Sequence, residues 1–153
     1  MKKTIYSKYD KKLIPSLPRV LFEGKIEVVV SETEAEKAVD YLLSQPIIGL
    51  DTETRPSFKK GHTYTVSLLQ VASHDICFLL RLNYLKFSPS IKRLLEDTTV
   101  PKIGLSLHDD VKMLHKIGEF EPGHFIDLQD RVKEVGVEDM SLQKIYANFF
   151  GMR

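Results

Sequence analysis

The stretch Ile47-Ile48-Gly49-Leu50-Asp51-Thr52-Glu53-Thr54 joins an uncharged, mainly apolar run to two closely spaced carboxylates. Apolar residues at consecutive positions are typical of a strand covered on both faces, as in the centre of an α/β sheet. In an extended chain Asp51 and Glu53 point to the same face, about 6.6–6.8 Å apart along the strand. The stretch therefore predicts a central strand whose carboxyl end carries an acidic pair.

The acidic pair is the first candidate for chemistry. Two carboxylates beside an apolar strand repel each other and lose solvation together, unless one is protonated, a basic group pairs with them or a cation binds. Two divalent ions about 3.5–4 Å apart can share carboxylates from one strand and a facing helix. Open α/β folds also bind their ligands at the ends of strands. The alternative is a surface turn in which Asp51 caps and Glu53 is solvated, and the tripeptide alone does not decide between them.

A second acidic element lies in the segment KIGLSLHDDVKML, residues 102–114, which is typical of a strand that runs into a helix. Asp110 shares its helical stripe with the apolar residues three, four and seven positions on, so it is expected to face the sheet. Asp109 aligns with lysines three and seven positions on and is expected to face solvent near the helix start. A carboxylate on the buried face needs a partner, and a metal shared with Asp51 and Glu53 would supply one.

The remaining pattern predicts the fold class. A β-branched run at 26–30 precedes Ser31-Glu32-Thr33-Glu34, which has the form of a capping box at the start of a helix. Strands are predicted at 64–71 and 76–82. Further helices and strands then alternate over 88–97, 101–107, 109–117, 124–128, 128–135 and 140–150. This order predicts an α/β fold with a mixed central sheet, three antiparallel strands and helices on both faces.

Composition limits the function classes. The chain has 153 residues, 42% of them apolar, a single cysteine and a net charge of +1. This length predicts one domain, no apolar run reaches the ~18 residues of a membrane span, and one cysteine excludes an internal disulfide. We therefore expect a soluble, cytoplasmic protein. Residues 1–22 carry six basic and one acidic residue and are expected to form a basic flexible arm, either near a polyanion or merely solvated, ahead of a domain at 23–153.

Several segments, taken in order, resemble the first two motifs of the DEDD superfamily of 3′-5′ exonucleases, most closely its ribonuclease D and Werner-type members. These segments are Ile48 to Thr54, Ser67-Leu68-Leu69-Gln70-Val71-Ala72 and Gly104 to Leu114. Asp127-Leu128, Met140 to Ile145 and Phe150-Gly151 resemble later connecting segments. The resemblance covers roughly residues 22–153.

The resemblance implies a ribonuclease H-like fold and two-metal hydrolysis of phosphodiester bonds at the 3′ end of RNA or DNA, with Mg²⁺ or Mn²⁺ as cofactor. It assigns the catalytic and metal-binding roles to Asp51, Glu53 and Asp110.

The predicted substrate-binding residues are Thr52, Thr54, Arg55, Lys59 and His108. Arg55 and Lys59 flank the acidic pair and either contact phosphates of the bound strand or lie in a solvated loop, whereas Thr54 rests on the resemblance. His108 is either a general base or a capping or solvated residue at the helix start, and the latter is favoured. We expect no membrane partner, because no apolar run is long enough to span a bilayer, and the sequence indicates no protein partner.

The chain departs from the family's pattern at the third motif. The family's fourth Asp, with a Tyr four residues or a His five residues before it, is expected beyond Phe150-Gly151. The only Tyr-x-x-x-Asp in the sequence runs from Tyr6 to Asp10, in the wrong chain order. We therefore expect a domain that is incomplete at its C-terminus and inactive or weakly active. Two alternatives remain open: a non-catalytic nucleic-acid-binding module of the same fold, and a metal-dependent hydrolase of a small phosphate ester.

Three further residues have competing interpretations. Phe58 either stacks on a base or turns inward. Asp127 either joins the acidic cluster or caps a helix, and the cap is favoured because it follows a strand and precedes a helix. Cys77 lies in an apolar strand and is predicted to be a buried hydrophobe.

Overall fold

A six-stranded mixed sheet organises the computed structural model, which describes residues 2–55, 57–61 and 64–153. Its strands are β1 (Lys25–Val29), β2 (Ile48–Thr54), β3 (Val66–Ala72), β4 (Ile76–Arg81), β5 (Lys102–Gly104) and β6 (Phe125–Asp127). Their order across the sheet is β1-β4-β3-β2-β5-β6. The predicted α/β class with a mixed sheet is confirmed.

The pairing directions determine which strand ends meet. β3 is antiparallel to both β2 and β4, while β1 pairs parallel with β4 and β5 pairs parallel with β2. The three antiparallel strands predicted from the sequence are therefore present. The carboxyl ends of β1, β4, β2 and β5 lie along one edge of the sheet, together with the amino end of β3. This edge includes the end of β2 that carries Asp51 and Glu53.

The hydrophobic core is built from one face of the sheet. Side chains alternate between faces along a strand, and the registered residues Leu50, Val71 and Phe78 all belong to the buried cluster. Residues of three helices complete it: α1 (Glu32–Leu42), α3 (Pro89–Glu96) and α4 (Leu107–His115). Cys77 is also buried, as predicted.

The helices largely follow the predicted segments. Ser31 caps α1 by accepting from the backbone N–H of Glu34 at 3.3 Å, which confirms the predicted start. The remaining helices are α2 (Leu82–Leu85), α5 (Leu128–Lys133) and α6 (Leu142–Phe150). Helix α2 and a short 3-10 helix at Lys11–Ser16 were not predicted. Among the described residues, no helix is long and apolar enough to cross a bilayer.

Glu32 links the first turns of α1 and α3. Its Oε1 accepts hydrogen bonds from the backbone N–H of Ser90 at 3.1 Å and from the Ser90 hydroxyl at 2.5 Å. Partial burial by itself raises the pKa of Glu32, but bonds from Ser88 and Ser90 and the charge of Arg93 outweigh it, so the pKa lies below its ordinary value. The ionised carboxylate therefore stabilises the folded state.

Glu32→Gln should lower the free energy of unfolding by about 1–2 kcal/mol at pH 7, because an amide oxygen accepts these bonds without the charge. Since the folded-state pKa is depressed, this contribution is present above the unfolded pKa of about 4.3 and is lost as pH falls through the folded value. Urea denaturation of both proteins at pH 7 and below pH 4 measures the difference. Glu36→Gln, an exposed change on the same helix, serves as the control. If the difference in unfolding free energy between the parent and Glu32→Gln is the same below pH 4 as at pH 7, the stabilisation does not come from the charge of Glu32.

The chain divides into two compact units: one is Gly24–Ile126, and the other is formed by the N-terminal segment up to Glu23 together with residues 127–153. Asn148 on α6 exchanges two hydrogen bonds with the Tyr6 backbone, at 3.0 and 2.6 Å. The Val20 N–H donates to the Arg153 carbonyl at 2.7 Å, and the Arg153 N–H donates to the Pro18 carbonyl at 2.9 Å. The segment predicted as a flexible arm therefore makes hydrogen bonds, through its backbone N–H and C=O groups, with residues near the C-terminus. The domain division at residues 22 and 23 stays a prediction.

Candidate active site

The acidic pair lies at the carboxyl end of β2, on the face opposite the core. Ile48 and Leu50 are buried, and alternation turns Asp51 and Glu53 the other way, where both are exposed. They stand in register with Gln70 and Leu68 of β3, and a bulge follows between Glu53 and Thr54. The shared loss of solvation expected from the sequence is therefore wrong for this pair, because only the other face of β2 is desolvated. The carboxylates remain open to a ligand.

A tight strand-to-helix connection brings α4 against β2. A Cβ at Gly104 would lie 2.7 Å from the Leu50 carbonyl oxygen and 2.3 Å from Leu107 Cδ2, so only glycine fits at this end of β5. Ser106 then adopts a left-handed conformation, with φ 56°, immediately before the first residue of α4. This close approach places the first turns of α4 beside the last residues of β2.

Asp110 contacts Thr52, the middle residue of Asp51-Thr52-Glu53. The Thr52 hydroxyl donates a short hydrogen bond to Asp110 Oδ1. Thr52 projects from the core face of β2, where α4 packs, so Asp110 faces the sheet as its helical stripe predicts, while Asp109 is exposed. The sequence assigned Thr52 to substrate binding through the family resemblance. Its bond to Asp110 could have been expected from alternation alone, which turns the middle residue toward the helix.

The carboxylates offer oxygen ligands of the kind that Mg²⁺ and Mn²⁺ prefer. Two of them share one face of β2, and the third is held by the residue between them. Among residues 2–55, 57–61 and 64–153, however, the structure contains no assembled group of three His, Cys, Asp or Glu side chains with metal-binding geometry. The chemistry of the donors fits a hard divalent cation, and the assignment of all three residues to one metal site stays a prediction.

The other predicted substrate-binding residues are distributed around this edge. Thr54 and Arg55 line a cleft next to Glu53. Lys59 is exposed in the loop that follows β2, and His108 is exposed in the first turn of α4. Phe58 is 97% exposed, so it does not turn inward.

Asp127 is a cap, as the sequence favoured. Its carboxylate accepts from the Gln129 backbone N–H at 3.0 Å at the start of α5. This contact explains the residue without a metal.

Sequence comparison places the chain in a family. Residues 26–153 match the family described as 3′-5′ exonuclease, and the chain belongs to that family. Its members are metal-dependent 3′-5′ exonucleases. A 3′-5′ exonuclease of Arabidopsis thaliana is 28% identical over an alignment of 116 positions, which covers 67% of this chain and 40% of that protein. The chain therefore spans about two fifths of the length of this relative.

Solved structures support the ribonuclease H-like exonuclease fold. Trypanosoma brucei RNase D in complex with RNA U12 has a TM-score of 0.61 and 24% identity, over 71% of this chain and 39% of that one. The EXD2 exonuclease domain soaked in Mg and GMP has a TM-score of 0.64 and 23% identity, over 84% of this chain and 71% of that one. At these identities the likeness shows the fold. The resemblance to RNase D-like exonucleases inferred from the motifs is thus confirmed.

Proposed function

We propose that this chain hydrolyses phosphodiester bonds at nucleic-acid 3′ ends, with Asp51, Glu53 and Asp110 as the metal-binding carboxylates. The observation that carries the proposal is the position of the three residues. Asp51 and Glu53 share the exposed face at the carboxyl end of β2. Helix α4 holds Asp110 beside Thr52 on the opposite, core face of the same strand end, so the three carboxylates flank this end from two sides. Bound divalent ions would supply an activated water and charge stabilisation for the leaving 3′ oxygen.

The chain's own residues give the site its selectivity. The exposed carboxylates of Asp51 and Glu53 would repel phosphate, and a bound divalent cation would offset this repulsion. Arg55 beside Glu53 provides a guanidinium for a phosphate oxygen of the strand. RNA or DNA is accordingly the proposed partner, and Mg²⁺ or Mn²⁺ the proposed cofactor.

An end-polarity assay tests the proposal. With Mn²⁺, 5′-labelled 12-nucleotide RNA and DNA should each give a ladder of products that shorten by one nucleotide at a time. A circular oligonucleotide of the same sequence should resist, because it has no 3′ end, and EDTA should stop the reaction. Fragments from the circle would contradict exonuclease polarity.

The same assay separates the two alternatives. Three of the four acids implied by the family are present, so slow hydrolysis is expected, and binding should be recorded in parallel. Metal-dependent binding of the oligonucleotide with no cleavage over many hours would support a non-catalytic module. A mononucleotide ester that is hydrolysed, and that competes as well as a 12-mer, would support the small-substrate hydrolase.

A further inference from the structure

The outer side of β1 offers backbone groups to a further strand. β1 is the first strand in the order across the sheet, and within the described part of the chain no other strand pairs with its outer side. Lys25 donates its N–H to the Asp75 carbonyl at 2.9 Å, so its backbone groups point inward to β4. Successive residues of a strand turn their backbone groups to opposite sides. The N–H and C=O groups of Ile26 and Val28 therefore point outward, as on any edge strand.

The same two residues carry exposed apolar side chains. Ile26 is 60% exposed and Val28 is 53% exposed. Both lie on the face of the sheet opposite the core, because Val29, which alternates with them, belongs to the buried cluster. An edge that combines outward backbone groups with exposed β-branched residues favours pairing with another strand.

The charges of β1 indicate which strand fits. Lys25 and Glu27 lie on the other face of β1, and Lys25 Nζ is 2.6 Å from Glu27 Oε1. In an antiparallel pairing of two copies centred on Ile26, Lys25 of each copy stands directly opposite Glu27 of the other. Charges on an edge strand commonly repel a further strand, but in this register the four charges alternate in sign. The strand is therefore complementary to a second copy of itself.

The neighbouring registers lack this complementarity. A pairing centred on Glu27 would set two like charges directly opposite each other, which is destabilising. A pairing centred on Val28 would place Glu27 opposite Val29, so that neither charge of β1 faces an opposite charge. Centring on Ile26 also lets the two Ile26 residues exchange both of their backbone hydrogen bonds and brings each Ile26 side chain diagonal to Val28 of the other copy.

The side chain of the second copy's lysine also has room. A cleft of about 290 Å³ lies between β1 and α1, and its charged lining residues are Glu27, Glu34 and Lys37. Two carboxylates and one ammonium give this lining a net charge of −2 + 1 = −1. The cleft therefore accepts an additional ammonium beside Glu27.

We propose that two copies of this chain associate through β1, antiparallel and centred on Ile26, so that their six-stranded sheets become one continuous sheet. β4 and β3 separate this interface from Asp51 and Glu53 on β2, so the pairing leaves the acidic pair accessible. The two β1 strands run in opposite directions, and the acidic pairs of the two copies therefore lie at opposite edges of the joined sheet. The dimer carries two separate sites.

Sedimentation velocity from about 10 µM to about 1 mM protein tests the inference. The parent protein should shift from monomer to dimer as its concentration rises. Lys25→Glu and Glu27→Lys should each raise the dissociation constant about tenfold or more, because each change sets like charges opposite each other twice. Lys92→Glu, the same charge change at an exposed position on α3, is the matched control and should leave the dissociation constant unchanged.

An equal mixture of Lys25→Glu and Glu27→Lys tests the register. One chain then has two acidic residues at these positions and the other has two basic residues, so every opposed pair again has opposite charges. The mixture should form a heterodimer with about the affinity of the parent, and the double variant Lys25→Glu/Glu27→Lys should form a homodimer. Recovery of this kind requires folded chains, so it separates a lost contact from a misfolded variant.

Three results would overturn the inference. A parent protein that stays monomeric over the whole concentration range has no such interface. A dimer that both single variants retain is held by another surface. If the single variants lose the dimer and their mixture does not recover it, β1 does not pair in the register centred on Ile26.

Discussion

Asp51→Asn should remove most of the rise in melting temperature that Mn²⁺ gives the parent protein, and should lower any 3′-5′ hydrolysis by about 100-fold or more. A ligand that binds only the folded state at 100 times its dissociation constant stabilises it by about 2.7 kcal/mol. For a chain of this size this corresponds to roughly 5–10 °C. The neutral amide of Asn loses the charge that holds the cation. Metal ions stabilise the charge of the transition state by several kcal/mol, and the loss of this stabilisation lowers the rate by two or more powers of ten.

Asp109 and Asp110 make an internal control for this prediction. They are adjacent on α4, but Asp110 is bonded to Thr52 whereas Asp109 is exposed. Asp110→Asn should reduce the Mn²⁺ increment, as Asp51→Asn does, and Asp109→Asn should leave it unchanged. The comparison uses the increment rather than the melting temperature itself, because removing one of two adjacent carboxylates also relieves repulsion. If Asp51→Asn and the parent gain equally from Mn²⁺, the site assignment is wrong.

The sequence predicted the parts of the fold and site that depend on local patterns. The stripe that contains Asp110 predicted the orientation of α4, and the run from Ile47 to Leu50 predicted the interior strand β2. The prediction that both faces of this strand are covered is wrong, because Gly49 is exposed and Ile47, which precedes the strand, is 52% exposed. Periodicity works here because burial on one face selects apolar residues at fixed spacing. The short helix α2 was missed because four residues are too few to establish a period.

The cleft lined by Glu53, Arg55 and Arg81 could not be predicted from local sequence patterns. Arg55 was proposed from its position after the acidic pair, but Arg81 was not, although it ends a predicted strand. Its relation to Glu53 depends on two registers, Glu53 with Leu68 and Leu68 with Arg81, which cross two turns of the chain. Register is determined by the burial of whole strand faces, so a single segment does not reveal which side chains become neighbours. The predicted antiparallel order of β2, β3 and β4 could have indicated this relation if the lengths of the connections between the strands had been used to estimate the two registers.

Lys102 is the clearest feature that the sequence did not indicate. Its side chain is completely buried, at 0% exposure, in the strand predicted over 101–107, and no burial of this residue was predicted. Nζ donates to the carbonyl oxygens of Asp97 at 2.6 Å and Val100 at 3.3 Å, and lies 4.0 Å from the Asp97 carboxylate. It also stands 5.5 Å from the ring centroid of Phe125. Lys102 belongs to β5, the strand that leads into α4. Its ammonium therefore connects β5 with the loop after α3 and with Phe125 of β6.

The two charges of this pair respond differently to burial. Burial lowers the pKa of Lys102, and the charge of Asp97 only partly opposes it. Burial also acts to raise the pKa of Asp97, but hydrogen bonds from Val100 and Thr99 and the charge of Lys102 outweigh it and leave that pKa below its ordinary value. The carboxylate is thus well stabilised, whereas the ammonium carries a net desolvation cost.

Lys102→Met should lower the free energy of unfolding by about 3 kcal/mol at pH 7, measured by urea denaturation. Methionine fills a similar volume but leaves two carbonyl oxygens and a mostly buried carboxylate without their cation, and breaking a buried pair from one side typically costs 3–5 kcal/mol. The lower end is expected because Asp97 keeps its bonds from Thr99 and Val100. Lys92→Met, an exposed change on α3, should stay within about 0.5 kcal/mol of the parent protein.

The pH dependence of the same pair of proteins distinguishes a desolvated lysine from a favourable ion pair. Because the folded-state pKa of Lys102 is lowered, the unfolded chain binds more protons between that value and the unfolded value of about 10.4. The stability of the parent relative to Lys102→Met should therefore increase as pH rises through this interval. A gap that stays constant up to about pH 10.4 and narrows above it would mean that attraction to Asp97 exceeds the cost of burial. In that case the folded-state pKa of Lys102 would lie above the unfolded value, against the direction inferred from its surroundings.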